Sequence, residues 1–169
     1  GSGANCKADV LGDEVSELKT ALTLQSEVIY SAITITENDG YLTDSGNVHV
    51  PDTGPNQVYT DKIPVSPNER IDWELTQYPN KMIWVAICYY NKDQNIVGSR
   101  QTLYQQQNRT AKDTVTVPDG IFYVAFTYNT YSSDGDYSFN AKKYFSEKEI
   151  SDIADELISV DEKITTIPS

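Results

Sequence analysis

Two apolar runs, one near each end of the chain, step alternately by four and three positions. Leu11, Val15, Leu18, Leu22, Gln25 and Ile29 form the first run. Ile150, Ile153, Leu157, Val160, Ile164 and Ile167 form the second, without a break. This spacing lines side chains along one seam of a helix, and such a seam is buried only against a partner helix. Between the runs the period switches from helical to alternating. The sequence therefore predicts residues 1–30 as an N-terminal coiled-coil helix, 31–144 as a β domain and 145–169 as a C-terminal coiled-coil helix.

In the first run Val15, Leu22 and Ile29 take the a positions, with Leu11, Leu18 and Gln25 at d. Gly12 costs its first turn about 1 kcal/mol relative to alanine. A polar Gln25 in the seam is the kind of residue that fixes register. The second run opens on Ser146-Glu147-Lys148-Glu149, a capping box. It places Ile150, Leu157 and Ile164 at a, with Ile153, Val160 and Ile167 at d. β-Branched residues at d disfavour a parallel dimer and isoleucine at both positions favours a trimer, so a parallel homotrimer is expected. One detail opposes it, because Glu156 at g would approach Asp161 at e of a neighbouring chain. Gly1-Ser2-Gly3 reads as a cloning remnant, and the second seam stops without a terminator, so the natural chain is expected to continue at both ends.

The middle block reads as eight or nine short strands with turn chemistry between them. Ile33 to Thr36 opens it, and Asn38-Asp39-Gly40 is a turn signal. Val48 to Val50, Val58 to Val65, and Ile71 to Thr76 follow, the last placing Ile71, Trp73 and Leu75 on one face. Met82 to Tyr90 is apolar on both faces and reads as a strand covered on both sides, with Trp73 and Trp84 expected in the core. Asn91 to Asn95 reads as a hairpin loop, and Gly98 interrupts the strand that ends at Tyr104. Pro118-Asp119-Gly120 marks a turn between Val115–Val117 and Ile121–Tyr128, and Tyr137 to Tyr144 is the last strand. Strands at this spacing with no helix between them point to a mainly β fold, an antiparallel jelly-roll β-sandwich.

Several stretches resemble one known module. They are Asp39-Gly40-Tyr41-Leu42-Thr43-Asp44-Ser45-Gly46, then Tyr59 to Ile71 with Pro64-Val65-Ser66-Pro67-Asn68-Glu69, then Val85 to Val97, and Val117 to Phe126. Their order resembles the jelly-roll, carbohydrate-binding-like domains of tail fibre and baseplate proteins of phages and prophages, a domain type that also accompanies secreted bacterial hydrolases. The resemblance covers roughly residues 33 to 144. It implies binding of a glycan on a host surface and a place on a virion tail or outside the cell, either as a fibre segment or as an appendage of a hydrolase. A purely structural spacer is the third reading.

Charge narrows the partners. A net charge of −12 opposes nucleic acid, because binding phosphates takes clustered Lys and Arg. It equally opposes attachment to anionic surfaces. No run of 18 apolar residues exists to span a membrane, and no charged-then-apolar start reads as a signal peptide. Cys6 and Cys88 lie too far apart in sequence to suggest a disulfide framework, and Cys88 sits in an apolar run as a buried thiol. With one histidine, His49, nucleophilic triads have a single possible base, and an edge-strand position explains it. No metal ligand set by Cys or His is apparent. Asp134-Gly135-Asp136 offers oxygen donors for calcium but reads better as a polar hairpin tip.

The twelve tyrosines are the positive signal. Neutral sugars stack on aromatic rings while amides fix their hydroxyls. Tyr89, Tyr90, Tyr104, Tyr128 and Tyr131 are predicted at strand ends or loops, with Gln105 and Gln107 beside them as hydrogen-bonding amides. No catalytic residue and no cofactor is expected.

Overall fold

A computed structural model describes residues 29–54, 56–131 and 136–165. These form β1 (Tyr30–Ala32), β2 (Glu37–Asp39), β3 (Tyr41–Leu42), β4 (Val48–His49), β5 (Asn56–Thr60), β6 (Ile63–Pro64), β7 (Arg70–Tyr90), β8 (Gln101–Thr116), β9 (Tyr123–Thr130), β10 (Tyr137–Tyr144) and α1 (Glu147–Thr165). The chain divides into two units, residues 31–143 and a second made of residues 1–30 with 144–169.

Eight strands make one curled antiparallel sheet in the order β1-β10-β7-β9-β5-β2, with β6 also on β9 and β8 on β7. β3 and β4 pair separately. The long strand β7 organises the rest. Along one edge it holds β8 from Arg70↔Thr116 to Ile87↔Gln101. Along the other, its C-terminal half holds β9, from Val85↔Tyr128 to Tyr90↔Tyr123. β10 lies beside its N-terminal half, where Tyr78 donates its backbone N–H to Asp136 O at 3.2 Å. Because β9 and β10 leave opposite ends of one bent strand, the sheet closes on itself like a sandwich and the two meet across the core. The Tyr128 and Phe139 rings stack there at 4.3 Å, and Phe126 approaches Phe139 at 5.2 Å.

Alternation along β7 decides which side chains meet. Ile71, Trp73, Leu75, Ile83, Val85 and Ile87 enter the main core with Val124, Phe126 and Ala141. On the other side of the sheet, Cys88, Tyr90 and Ala125 pack beneath Leu42 of β3 in a smaller cluster. This second cluster is why Met82–Tyr90 is apolar on both faces. Burial raises the Cys88 thiol pKa, as an apolar site must. Glu69 is buried with its charge compensated: it accepts the Ser66 N–H, and Lys143 Nζ lies 3.6 Å away.

Several expected boundaries shift. Ile71–Thr76 and Met82–Tyr90 belong to one strand. Between Thr76↔Thr110 and Lys81↔Asn108, β7 advances five residues (76 to 81) while β8 covers two (110 to 108). Pro79 sits in this bulge, where its missing N–H interrupts no ladder. The buried Gln77 amide braces the bulge by donating to Lys81 O and Asn108 O, both at 3.2 Å. β8 likewise continues past Tyr104 through the glutamines, while Val58–Val65 splits into β5 and β6. Turns at Asn91–Asn95 and Pro118–Gly120 form as their residues dictate; Asn91 Oδ1 accepts from the Asp93 and Asn95 N–H groups, and Gly120 adopts φ 76°.

Of the two helices expected at the ends, the C-terminal one forms, while residues 1–28, on which the N-terminal one falls, lie outside the described residues. α1 is the one helix among the described residues. Ile29, placed in the first seam, accepts the Phe145 N–H at its backbone carbonyl at 3.3 Å, and Tyr30, expected to end the helix, begins β1 instead. Leu11, Val15, Leu18, Leu22 and Gln25 lie outside the described residues, as do Ile167 and the Ile164 side chain.

Ser146 and Glu149 make the capping box in full. Ser146 Oγ accepts the Glu149 N–H at 3.2 Å, and Glu149 Oε2 accepts the Ser146 N–H at 2.9 Å. Ser146→Ala is expected to cost the helix about 1 kcal/mol, while Ser146→Thr retains most of it. Thermal melts followed at the helical circular-dichroism band test this. Equal melts for the two variants would refute it. Along α1, Ile150 and Ala154 are buried, whereas Ile153, Leu157 and Val160 remain 46%, 49% and 53% exposed.

Candidate functional site

The five tyrosines chosen from sequence do not form one surface. Tyr89 and Tyr90 are 7% and 4% exposed, and Tyr128 is wholly enclosed. Burial raises the phenol pKa of all three, most strongly Tyr128, whose hydroxyl also donates to Glu37 Oε2 at 2.7 Å. Rings so enclosed present no face to a ligand. Tyr104 is half-buried, edge-on to Trp73 at 6.5 Å, and its hydroxyl accepts from Asn108 Nδ2 at 3.3 Å. Tyr131, also half-buried, follows the end of β9. Trp73 is core as expected.

The glutamines are exposed, and strand pairing gives them different neighbours. Gln105 lies opposite Trp84 and Gln107 opposite Met82, so each pair shares a face of the sheet. That face is the outer one, since the intervening Ile83 and Val85 enter the core. Trp84 is half-buried there and not part of the main core, which corrects the sequence expectation. Its ring has the Arg100 guanidinium over it at 4.9 Å and Tyr41 edge-on at 6.4 Å. Tyr41 in turn meets His49 at 5.3 Å, across the β3–β4 pair. Met82 extends the patch at 45% exposure.

Each member is held by local chemistry. The Trp84 backbone N–H donates to Asn129 Oδ1 at 3.0 Å, so the buried Asn129 fixes the strand backbone that carries the indole. Arg100 donates from Nη1 to Leu42 O at 2.7 Å and pairs with Asp44 at 3.3 Å. These bonds pin the β3–β4 hairpin to the sheet beside Trp84. Gly40 sets the hairpin's entry at φ 109°, where a side chain would lie 2.8 Å from His49 O. Asp44 compensates the Arg100 charge, so the patch presents aromatic edges and amides in place of a net charge. Gln107 Nε2 donates to Asn80 O at 3.3 Å, and Gln105 is exposed.

Sequence reading missed Tyr41, Trp84, Arg100 and Met82. The signal was available in the alternation: even positions 82 and 84 fall opposite the odd positions that fill the core. Extending the hairpin from Asn91–Asn95 along Gln101–Asn108 would have set a glutamine against Trp84. Among the described residues no three His, Cys, Asp or Glu side chains gather to hold a metal. Asp134 and Gly135 lie outside them. No described helix is long and apolar enough to cross a membrane.

No family model matches the sequence, and no curated protein matches it. Solved structures similar to it include the xylan-binding module CBM86 from Roseburia intestinalis, at 12% identity, covering 72% of this chain and 98% of that one, with a TM-score of 0.37. The K3 adhesin domain of Lys-gingipain from Porphyromonas gingivalis has 15% identity over 64% of this chain and 71% of its own, with a TM-score of 0.34. The enzymatically active domain of tailspike protein 4 from bacteriophage CBA120 has 11% identity over 68% of this chain and 18% of its own, with a TM-score of 0.36. Backbones that superpose this loosely do not carry a site from one protein to another.

Proposed function

We propose that this chain is a non-enzymatic, extracellular glycan-binding module, a segment of a phage-type tail fibre that works as a homotrimer. The reading rests on one observation above the rest: a half-exposed indole, Trp84, with two exposed amides in register beside it and aromatic neighbours at its edges. Flat apolar faces of a neutral sugar pack on such surfaces, and amides supply directional hydrogen bonds to its hydroxyls. The charge-compensated Arg100 adds orientation without attracting polyanions. Gln105 and Gln107 keep the role foreseen for them, with Trp84 and Tyr41 in place of the buried tyrosines.

A shallow patch buries little of a hydrated sugar, so affinity per module should lie in roughly the micromolar to millimolar range. Three copies on one stalk would raise avidity by about 10²–10⁴ when spacing permits. The exposed stripe Ile153, Leu157 and Val160 favours the fibre reading over a hydrolase appendage, which needs no such stripe.

A glycan array probed with the whole chain, followed by titration calorimetry on the best binder, tests the proposal. Trp84→Ala should weaken binding by at least tenfold, and Gln105→Ala by less. Binding that survives Trp84→Ala unchanged would place the ligand elsewhere. Affinity should fall only mildly between low and physiological salt, because neither the patch nor a neutral sugar contributes net charge. A steep fall would implicate a charged partner.

A further inference from the structure

A different face of the β unit holds a hollow. Even-numbered residues of β7's N-terminal half point outward, since Ile71, Trp73 and Leu75 point into the core. The flanking strands follow suit: Ala111 and Val115 of β8, and Phe139 and Ala141 of β10, are buried. Three adjacent strands thereby line up their polar positions, with Thr114 and Lys112 beside Asp72 and Glu74, and Asn140 on the far side. The hollow over them measures about 370 Å³. It abuts a second of about 750 Å³, walled by the next outward positions Thr76, Thr110 and Ser138 and by Tyr78. The Gln77-braced bulge explains that wall. It turns Tyr78 out of the sheet, where the ring is 77% exposed.

We infer that this outer face of β8, β7 and β10 is an extended binding groove for a linear, hydroxyl-rich polymer, an oligosaccharide chain lying along the strands. From Asp72 to Tyr78 the floor runs about 20 Å, far longer than one sugar ring. Its lining argues for hydroxyls. Glu74 and Lys112 face each other across the strand pair with no ion pair between them, so an acceptor and a donor stand side by side. Asp72 is held in place by Thr114 Oγ1 at 2.7 Å and Arg70 Nε at 3.4 Å. Such pairs fit vicinal hydroxyls, which donate and accept together. The floor offers few apolar side chains for peptide anchors, and its acids and bases nearly balance, which gives a polyanion no advantage. Tyr78 closes one end as a stacking surface for a terminal ring.

This groove is independent of the Trp84 patch, and the two are separable by experiment. The isotopically labelled chain is titrated with cellohexaose, xylohexaose, mannohexaose and chitohexaose while backbone amide shifts are followed. At least one hexamer should shift the amides of residues 72–78 and 110–114 at millimolar concentration, with the matching monosaccharide at least tenfold weaker. Glu74→Ala with Lys112→Ala should weaken that hexamer at least tenfold and leave the Trp84 amide response intact. Trp84→Ala should leave the groove response intact. The inference is overturned if no hexamer moves the groove amides, if monosaccharides match the hexamer, or if Trp84→Ala removes every response. Groove shifts with a silent Trp84 patch would instead count against the proposed function alone.

Discussion

Tyr128→Ala is expected to destabilise the β unit by about 3–5 kcal/mol, the usual cost of emptying a buried aromatic site. The ring is fully enclosed, stacked on Phe139 at 4.3 Å, and lies where β9 and β10 meet across the core. For a unit of this size that loss lowers the melting temperature by about 12–20 °C. Tyr128→Phe separates the hydroxyl from the ring. Its hydroxyl donates to Glu37 Oε2 at 2.7 Å, and removing a hydrogen bond to a charged acceptor costs about 1.5–3 kcal/mol. The lower end is expected, because Tyr137 Oη also donates to that oxygen at 2.9 Å and keeps it satisfied. Together with the Tyr128 bond, this ties edge strand β2 to the body of the sheet. Denaturant melts of both variants, monitored by tyrosine and tryptophan fluorescence, provide the measurement. Alanine behaving like phenylalanine would mean that the ring packs loosely, and Tyr128 would return as a ligand-facing candidate.

Tyr128 also shows where sequence reading stops. Its strand was legible: Val124, Phe126 and Tyr128 alternate after a Pro-Asp-Gly turn and do share one buried face. Recognising the tyrosine as a core residue required knowing that a second strand, β10, would cover it. That cover comes from the curl of the sheet, a non-local fact set by β7 running unbroken through Pro79. A proline between two alternating runs ordinarily separates two strands. Here a bulge absorbs it, and only the buried Gln77 amide, bonded to Lys81 O and Asn108 O, makes the bulge stable. The same error moved the glutamines from a strand to a loop and hid their registry with Trp84. Local chemistry fared better. The capping box at Ser146, the Asn91 turn and the double-sided apolar run before Tyr90 each form as their own residues require. The candidate site was half legible: its amides stood out by composition, while its aromatic ring was indistinguishable from core without the pairing partner.

In the homotrimer proposed above, Ile153→Asp combined with Val160→Asp is expected to reduce the solution mass from three chains to one, leaving the β unit folded. Both side chains lie on the stripe that α1 leaves about half exposed, at the d positions of its heptads. Covering the remaining surface of Ile153, Leu157 and Val160 gains roughly 1 kcal/mol apiece, half the usual value for a fully buried aliphatic side chain. Nine such side chains in a trimer gain about 9 kcal/mol, which is comparable with the cost of bringing chains together. An interface so finely balanced has no reserve for buried carboxylates, and three unpaired aspartates in each of two layers cost several kcal/mol more. Light scattering at micromolar concentration reads the mass, and circular dichroism at the β band reports the fold. A wild-type monomer would remove the fibre argument at once. A variant that stays trimeric would show that other residues hold the chains together. A monomer that also loses its β signal would mean that the β unit depends on the seam, against the expectation that its own two clusters sustain it.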